Sequence, residues 1–75
     1  MRELIEYMAK ELSSQPDQVR VKETGNPRHT VIYLKVAEGD MGRVIGKGGR
    51  IASAMRILLR VAAIRQGKRV TLEIR

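Results

Sequence analysis

The first half of the chain changes from one spacing of hydrophobic residues to another. In residues 2–13 apolar residues recur every three or four positions, which predicts an amphipathic helix. Residues 18–23 alternate between polar and apolar, as a half-buried strand does. Residues 30–37 are more continuously apolar and β-branched, which favours a strand in the centre of a sheet. The turn sequence Gly25-Asn26-Pro27 separates the two strands. The side chains expected to face the core are Ile32, Leu34 and Val36.

The second half is mostly helical. Asp40 is predicted to cap a short helix over residues 41–45, and a longer helix is predicted over residues 49–66, closed by Gly67. Residues 70–74 alternate as a third strand. The order helix, strand, strand, helix, helix, strand predicts an α+β fold with a three-stranded mixed sheet. The first two strands are expected to be antiparallel, the third is expected to run parallel to the central strand, and all three helices are expected to cover one face.

A glycine-rich segment joins the two predicted helices. Four glycines fall within residues 42–49, and Gly46-Lys47-Gly48-Gly49 forms a G-x-x-G tetrapeptide. Glycine lets the backbone approach a ligand closely because it has no Cβ. The first N–H groups of the following helix have no intrahelical acceptors and lie at the positive end of its dipole, so they suit a phosphate-bearing ligand. The basic residues in or beside this segment are Arg43, Lys47 and Arg50.

Two other phosphate-binding motifs do not fit this segment. A P-loop needs one more residue before its Gly-Lys pair and a Ser or Thr after the lysine, where this chain has Gly48. The dinucleotide-binding fingerprint needs a glycine where this chain has Ile51. A plain helix–helix turn stays open as an alternative, although such a turn seldom needs basic residues and an apolar pair at this spacing.

The segment Val44-Ile45-Gly46-Lys47-Gly48-Gly49 resembles the signature of the KH family of RNA-binding domains, whose G-x-x-G loop clamps the backbone of about four nucleotides. The order of elements is similar to the type II KH arrangement, which starts with a helix and ends with a strand. The length, Gln15-Pro16-Asp17 and Gly67-Lys68-Arg69-Val70 resemble the small stand-alone bacterial members of the family. One departure is Ala52, at a position where the family has a large apolar residue.

The resemblance implies an RNA chaperone-like protein or post-transcriptional regulator that binds single-stranded RNA. It also implies a homodimer, or a heterodimer with a larger KH protein of the Jag type. Arg28 and His29 fall in a variable loop that borders the RNA groove in the family, so they are secondary candidates. The primary candidates for RNA binding are Arg43, Val44, Ile45, Gly46, Lys47, Gly48, Gly49 and Arg50. Val44 and Ile45 could each pack under the loop or line the groove.

Charge is divided unevenly along the chain. Residues 1–40 hold six Lys/Arg against seven Asp/Glu, whereas residues 41–75 hold nine Lys/Arg against Glu73 alone. The excess therefore lies on the half with the glycine segment, as expected for a nucleic-acid contact. For Arg56 and Arg60 an ordinary solvated helix face is an equal alternative. One histidine, no cysteine and no paired carboxylates in that half argue against an enzyme, a bound metal or a cofactor.

The long predicted helix has more apolar surface than one sheet face requires. Beside the stripe that contains Ala52, Met55 and Leu59, a second stripe is formed by Ala54, Ile57, Leu58 and Val61. It either packs on the N-terminal helix or forms a dimer interface. The second possibility supports an alternative function, a subunit that pairs with a second KH protein and uses the glycine loop only structurally. The length fits a single domain over residues 1–75, and the absence of cysteine fits the reducing cytoplasm.

Overall fold

The computed structural model describes residues 1–75. Its elements follow the predicted order, and each boundary lies within two residues of the prediction. A turn of 3-10 helix over Pro16–Gln18 follows the first helix, and another over Glu38–Asp40 precedes the second. Helices α1, α2 and α3 span Arg2–Leu12, Met41–Ile45 and Arg50–Arg65, and strands β1, β2 and β3 span Arg20–Gly25, His29–Lys35 and Arg69–Ile74.

The three strands form one mixed sheet with β2 in the centre. β1 pairs with β2 in antiparallel register, which sets Val21 opposite Leu34. β3 pairs with β2 in parallel, which sets Leu72 beside Ile32. The predicted central strand and both strand directions are therefore confirmed. A short turn suffices for the first connection, while the second needs the two helices between β2 and β3 as a crossover.

The helices cover one face of the sheet, and the core lies between the two layers. Ile32 and Leu34 are fully buried and Val36 nearly so, as predicted. The departure at Ala52 does not alter the phase of α3, because Ala52 itself faces inward and is buried. The helical residues buried on this face are Ile5 and Ala9 of α1, Val44 of α2, and Ala52, Met55, Leu59 and Ala63 of α3. None of the helices is both long and apolar enough to cross a membrane.

β1 is more exposed than the alternation of its sequence predicts. Its only partly buried residue is Val21, and the buried Val19 precedes the strand. β1 is an edge strand, and its remaining core-side positions, Glu23 opposite Ile32 and Gly25 opposite Thr30, carry no apolar side chain. The half-buried alternation therefore extends over the start of β1 only.

The prediction that Asp40 caps α2 through its side chain is wrong. No side-chain hydrogen bond caps the first turn of α2, and the backbone of Asp40 has helical angles, φ −98° and ψ −6°. A capping residue normally has extended angles, which direct its side chain toward the following N–H groups. The preceding 3-10 turn keeps Asp40 out of that geometry. Its carboxylate instead accepts hydrogen bonds from the hydroxyls of Ser13 and Ser14 and from the N–H of Gln15.

Candidate nucleic-acid interface

The G-x-x-G segment folds as a tight turn between α2 and α3. Gly46 has φ 81° and ψ 166°, Gly48 has φ 65° and ψ 19°, and Gly49 has φ 75° and ψ 14°. L-residues rarely adopt such angles, so glycine is favoured at all three positions. The Gly49 N–H donates to the Gly46 carbonyl at 3.0 Å, and the Gly46 N–H donates to the Gly42 carbonyl at 2.9 Å. The turn is thus fixed by its own backbone and leaves Lys47 exposed at its tip.

The three glycines meet different surroundings. A Cβ added to Gly46 would lie 2.7 Å from Cγ1 of Ile51, so the absence of a side chain there lets α2 and α3 approach each other. At Gly48 and Gly49 an added Cβ would have no atom within 4 Å. Those two residues therefore present bare backbone outward, which is the arrangement that a phosphate-bearing ligand can approach.

The start of α3 adds positive potential to this backbone. Gly49 is the residue before the helix, and no side chain caps the first turn. The first N–H groups of a helix carry the positive end of its dipole. Arg43, Lys47 and Arg50 are exposed around the loop. None of them forms an ion pair, since the two ion pairs of the structure lie within the N-terminal helix region. The charges at the loop are therefore available to an anion.

The apolar pair before the loop divides into two environments. Val44 is completely buried and belongs to the hydrophobic core. Ile45 is only half-buried and lies outside the core cluster. Of the two uses left open by the sequence, core packing therefore falls to Val44. Ile45 is the residue whose apolar surface remains beside the loop.

Arg28 and His29 lie far from the G-x-x-G loop. The Arg28 carbonyl accepts a hydrogen bond from the N–H of Arg69 at 2.8 Å, at the start of β3 and next to the end of α3. The ring of His29 is hydrogen-bonded to Thr71 through Nε2 and Oγ1, which are 2.9 Å apart. At about 1.5 Å per residue, α3 separates this end of the molecule from the loop by roughly 24 Å. The structure therefore does not bring these two candidates together with the loop.

A shallow groove between α3 and β3 begins to bridge that distance. Arg56 and Arg60 of α3 line it from one side and Thr71 of β3 from the other, around a concavity of about 150 Å³. Nη2 of Arg56 donates to the Leu72 carbonyl at 3.4 Å. Toward the end of α3 a further concavity is lined by His29, Arg60, Lys68 and Arg69 among others. Arg56 and Arg60 thus lie on the groove, on one face of α3 because they are four residues apart.

The second apolar stripe of α3 does not pack on α1, so that alternative is wrong. Ala54 is exposed, and α1 rests on β1, β2 and α2 instead. Ile64, one turn beyond Val61, extends the stripe and was not among the residues predicted for it. The exposed fractions are 56% for Ile57, 46% for Leu58, 47% for Val61 and 68% for Ile64.

This sheet, the three helices on one face and the glycine turn between α2 and α3 define a type II KH domain. The structure is similar to the crystal structure of Era in complex with MgGDPNP and nucleotides of 16S ribosomal RNA, with a TM-score of 0.63 and 25% sequence identity. The similarity covers 97% of this chain and 28% of the Era chain. The predicted α+β, KH-type fold is confirmed.

Sequence comparison gives the particular family. Residues 2–74 match the family model described as "KhpA/KhpB, KH domain", and the chain belongs to this family. It is 47% identical to the RNA-binding protein KhpA of Clostridium acetobutylicum and 50% identical to that of Caldanaerobacter subterraneus, in each case over 99% of both chains. The KhpA of Aquifex aeolicus is 45% identical over 99% of this chain and 94% of its own. The resemblance to small bacterial KH proteins is confirmed, as is the prediction that the chain is not an enzyme, because this is a family of RNA-binding domains.

Proposed function

We propose that residues 1–75 act as a single module that binds single-stranded RNA at the G-x-x-G loop without catalysing a reaction. The observation that carries the proposal is the outward, unobstructed backbone of Gly48 and Gly49 at the uncapped start of α3. The full-length relatives at 45–50% identity are named RNA-binding proteins, which supports the same function here.

In this proposal the loop binds phosphates and the adjoining surface receives bases. Backbone N–H groups at the loop and the side chains of Arg43, Lys47 and Arg50 meet the RNA backbone, as charge-assisted hydrogen bonds. Ile45 offers the apolar surface next to the loop. Arg56 and Arg60 extend the contact along the groove between α3 and β3. Arg28 and His29 would contact the RNA only if the RNA strand follows the groove to its far end.

A loop variant tests this proposal directly. Changing Lys47 and Gly48 together to Asp places two carboxylates where phosphates are expected, and the exposed positions leave the core intact. RNA binding should weaken by about 1–3 kcal/mol or more, the range for hydrogen bonds to charged groups. The matched control is Arg2→Asp with Gly39→Asp, since Arg2 is exposed and forms no ion pair and an added Cβ at Gly39 also has no atom within 4 Å. Equal RNA affinity of the folded loop variant and the control variant would contradict the proposal.

We also propose that the exposed stripe of α3 pairs with a second KH domain. Large apolar side chains in a continuous exposed stripe usually mark an interaction surface. The stripe comprises the predicted residues Ala54, Ile57, Leu58 and Val61 and is extended by Ile64. The partner is a second copy of this chain or a larger KH protein of the Jag type. Pairing would raise the affinity for RNA because the second module would bind at a high effective concentration.

The pairing surface also supports the alternative function, in which the chain serves mainly to hold a partner and the glycine loop is structural. The two functions are distinguished by RNA affinity of the isolated chain. For the cellular role we propose an RNA chaperone-like protein or a post-transcriptional regulator in the cytoplasm. The cysteine-free composition fits that reducing compartment.

A further inference from the structure

The outer face of the sheet, opposite the helices, is not covered by any other part of the chain. On β2 the residues between the buried positions point to this face, and Tyr33 lies at its centre, half-buried by the neighbouring strands. In the register of the sheet, Lys22 lies opposite Tyr33 on one side and Glu73 beside it on the other. Arg20 lies opposite Lys35 one step further along the same face.

Positive charge is concentrated around this tyrosine. The guanidinium carbon of Arg75 lies 4.5 Å from the centroid of the Tyr33 ring, which is a cation–π contact. Neighbouring strands are about 4.8 Å apart and same-face residues about 6.8 Å apart along a strand, so the cations lie within one small area. We call Arg20, Lys22, Tyr33, Lys35 and Arg75 the outer patch.

The outer patch lacks the countercharge that would neutralise it. Glu73 is the only acidic residue in the outward-facing positions of the three strands, and none of the cations forms an ion pair. Arg20 and Lys35 lie directly opposite each other, an arrangement that destabilises a sheet because like charges repel. Nη1 of Arg20 donates to the carbonyls of Asp17 and Val19, which offsets part of this charge, and a bound polyanion would relieve the repulsion that remains.

The outer patch lies at the same end of the sheet as the G-x-x-G loop. β2 ends at Lys35 and continues through Glu38–Asp40 into α2 and the loop. The N–H of Arg75 donates to the Leu34 carbonyl, so the end of β3 lies there as well. β3 is an edge strand, and the groove of Arg56 and Arg60 lies on its helix side. On its open side β3 presents Glu73 beside Tyr33, and beyond it the outer patch extends over β2 to Lys22 and Arg20 of β1.

We propose that the outer patch is a second RNA-contact surface, which binds phosphates of nucleotides beyond those held at the loop. An RNA strand that leaves the groove over the edge of β3 reaches Arg75 first, then Lys35 of β2 and then Lys22 of β1. The contact is to the backbone and independent of base sequence, because it consists of exposed charges without a pocket for a base. This inference rests on the proposed RNA-binding function and extends the surface that carries it.

The test compares two RNA lengths. Lys22→Gln with Lys35→Gln removes two charges from exposed positions of the outer patch, and Arg2→Gln with Lys10→Gln removes the same charge from α1 as a matched control. Binding is measured against salt concentration for unstructured RNAs of about four and about 20 nucleotides. For the long RNA the slope of log K against log salt should be less negative by roughly 1.4 in the patch variant, at about 0.7 per lost phosphate contact. The short RNA should bind the wild type and the patch variant equally.

Each other outcome overturns the inference. If the patch variant and the control variant have the same slope for the long RNA, the outer patch does not bind it. If the patch variant loses affinity equally for the short and the long RNA, the charges act through the overall electrostatic field of the protein and not by direct contact. If the patch variant loses binding to vesicles of phosphatidylglycerol but keeps its binding to the long RNA, the outer patch binds anionic lipid headgroups and not RNA. Wild-type protein that binds neither RNA would refute the proposed function as well, whereas wild-type protein that binds both RNAs, with a patch variant that behaves like the control variant, refutes only the outer patch.

Discussion

The carboxylate of Asp40 accepts a hydrogen bond from the hydroxyl of Ser13, with 2.6 Å between the two oxygens. The second oxygen of the carboxylate accepts from the hydroxyl of Ser14, also at 2.6 Å, and Asp40 is only 1% exposed. This cluster joins the end of α1 to the start of α2, and α2 leads directly into the glycine loop. The hydrogen bonds from Ser13 and Ser14 lower the pKa of the Asp40 carboxyl to about 2, despite its burial.

Asp40 should make the stability of the protein depend on pH in the acid range. A carboxyl whose pKa is lower in the folded state than in the unfolded state stabilises the fold above its unfolded pKa, and this contribution is lost as the pH falls through the folded pKa. The loss is therefore expected from about pH 4 down to about pH 2. Asp40→Asn should lower the melting temperature at neutral pH by about 4–8 °C, as loss of one net hydrogen bond would. The melting temperature of the variant should also fall less steeply than that of the wild type as the pH is lowered into the acid range. Thermal melts of both proteins from neutral pH to pH 2 check this, and equal declines would contradict it.

Gly46 and Gly48 should tolerate substitution unequally. Gly46→Ala sets a Cβ against the side chain of Ile51 and forces alanine into an angle region that is almost exclusive to glycine, which costs about 1–3 kcal/mol in strain alone. Gly48→Asn should cost about 1 kcal/mol or less, because asparagine tolerates left-handed angles and the position is open. Urea unfolding of the two variants measures the difference. Adding Ile51→Ala to Gly46→Ala should relieve part of the steric clash. A Gly46→Ala protein as stable as the wild type would contradict the placement of Ile51.

Substitution of Val44 should mainly lower the stability of the protein, whereas substitution of Ile45 should mainly weaken RNA binding. Val44→Ala removes buried methyl groups and should lower the free energy of unfolding by about 2 kcal/mol, a large part of the total for a domain of this size. Ile45→Ala removes half-exposed surface and should cost less than about 1 kcal/mol, while it weakens RNA binding. Unfolding curves and RNA titrations of both variants provide the measurement. A reversed pattern, with Ile45→Ala the less stable protein, would show that the pair is oriented the other way.

Leu58 should lie at the contact between two KH domains. We expect the isolated protein to sediment as a homodimer at tens of micromolar, and Leu58→Asp to sediment as a folded monomer, because burying an unpaired carboxylate in an apolar contact is costly. Leu58 is 46% exposed within one chain, so the substitution leaves the core intact. Gln18→Asp adds the same charge at an exposed position outside α3 and serves as the control. A monomeric wild type would reject the homodimer, and binding of a larger KH partner would then be measured with the same two variants.

Local patterns in the sequence determined the elements and their order. The period of apolar residues distinguishes helix from strand wherever one face is buried, and β2 was recognised as central because its residues are apolar at consecutive positions. Gly67 was recognised as the end of α3 because a left-handed residue lets the N–H groups of Gly67 and Lys68 reach the carbonyls of Ile64 and Ala63. Backbone geometry of this kind depends on neighbouring residues, so it can be inferred from sequence. The positive φ angles of the loop glycines belong to the same class.

Only the tertiary structure decided which side chains meet across long separations in the chain. Asp40 is an acceptable N-cap by its position, yet its partners lie 26 and 27 residues earlier, in the turn after α1. Whether Val44 or Ile45 faces the core depends on how α2 rests on the sheet. Arg28 and His29 were predicted to border the RNA groove, and the parallel pairing of β2 with β3 holds them at the end of α3 that is far from the G-x-x-G loop. The outer patch likewise exists because strand pairing assembles charges from three separate segments, and strand pairing is set by packing that no single segment specifies.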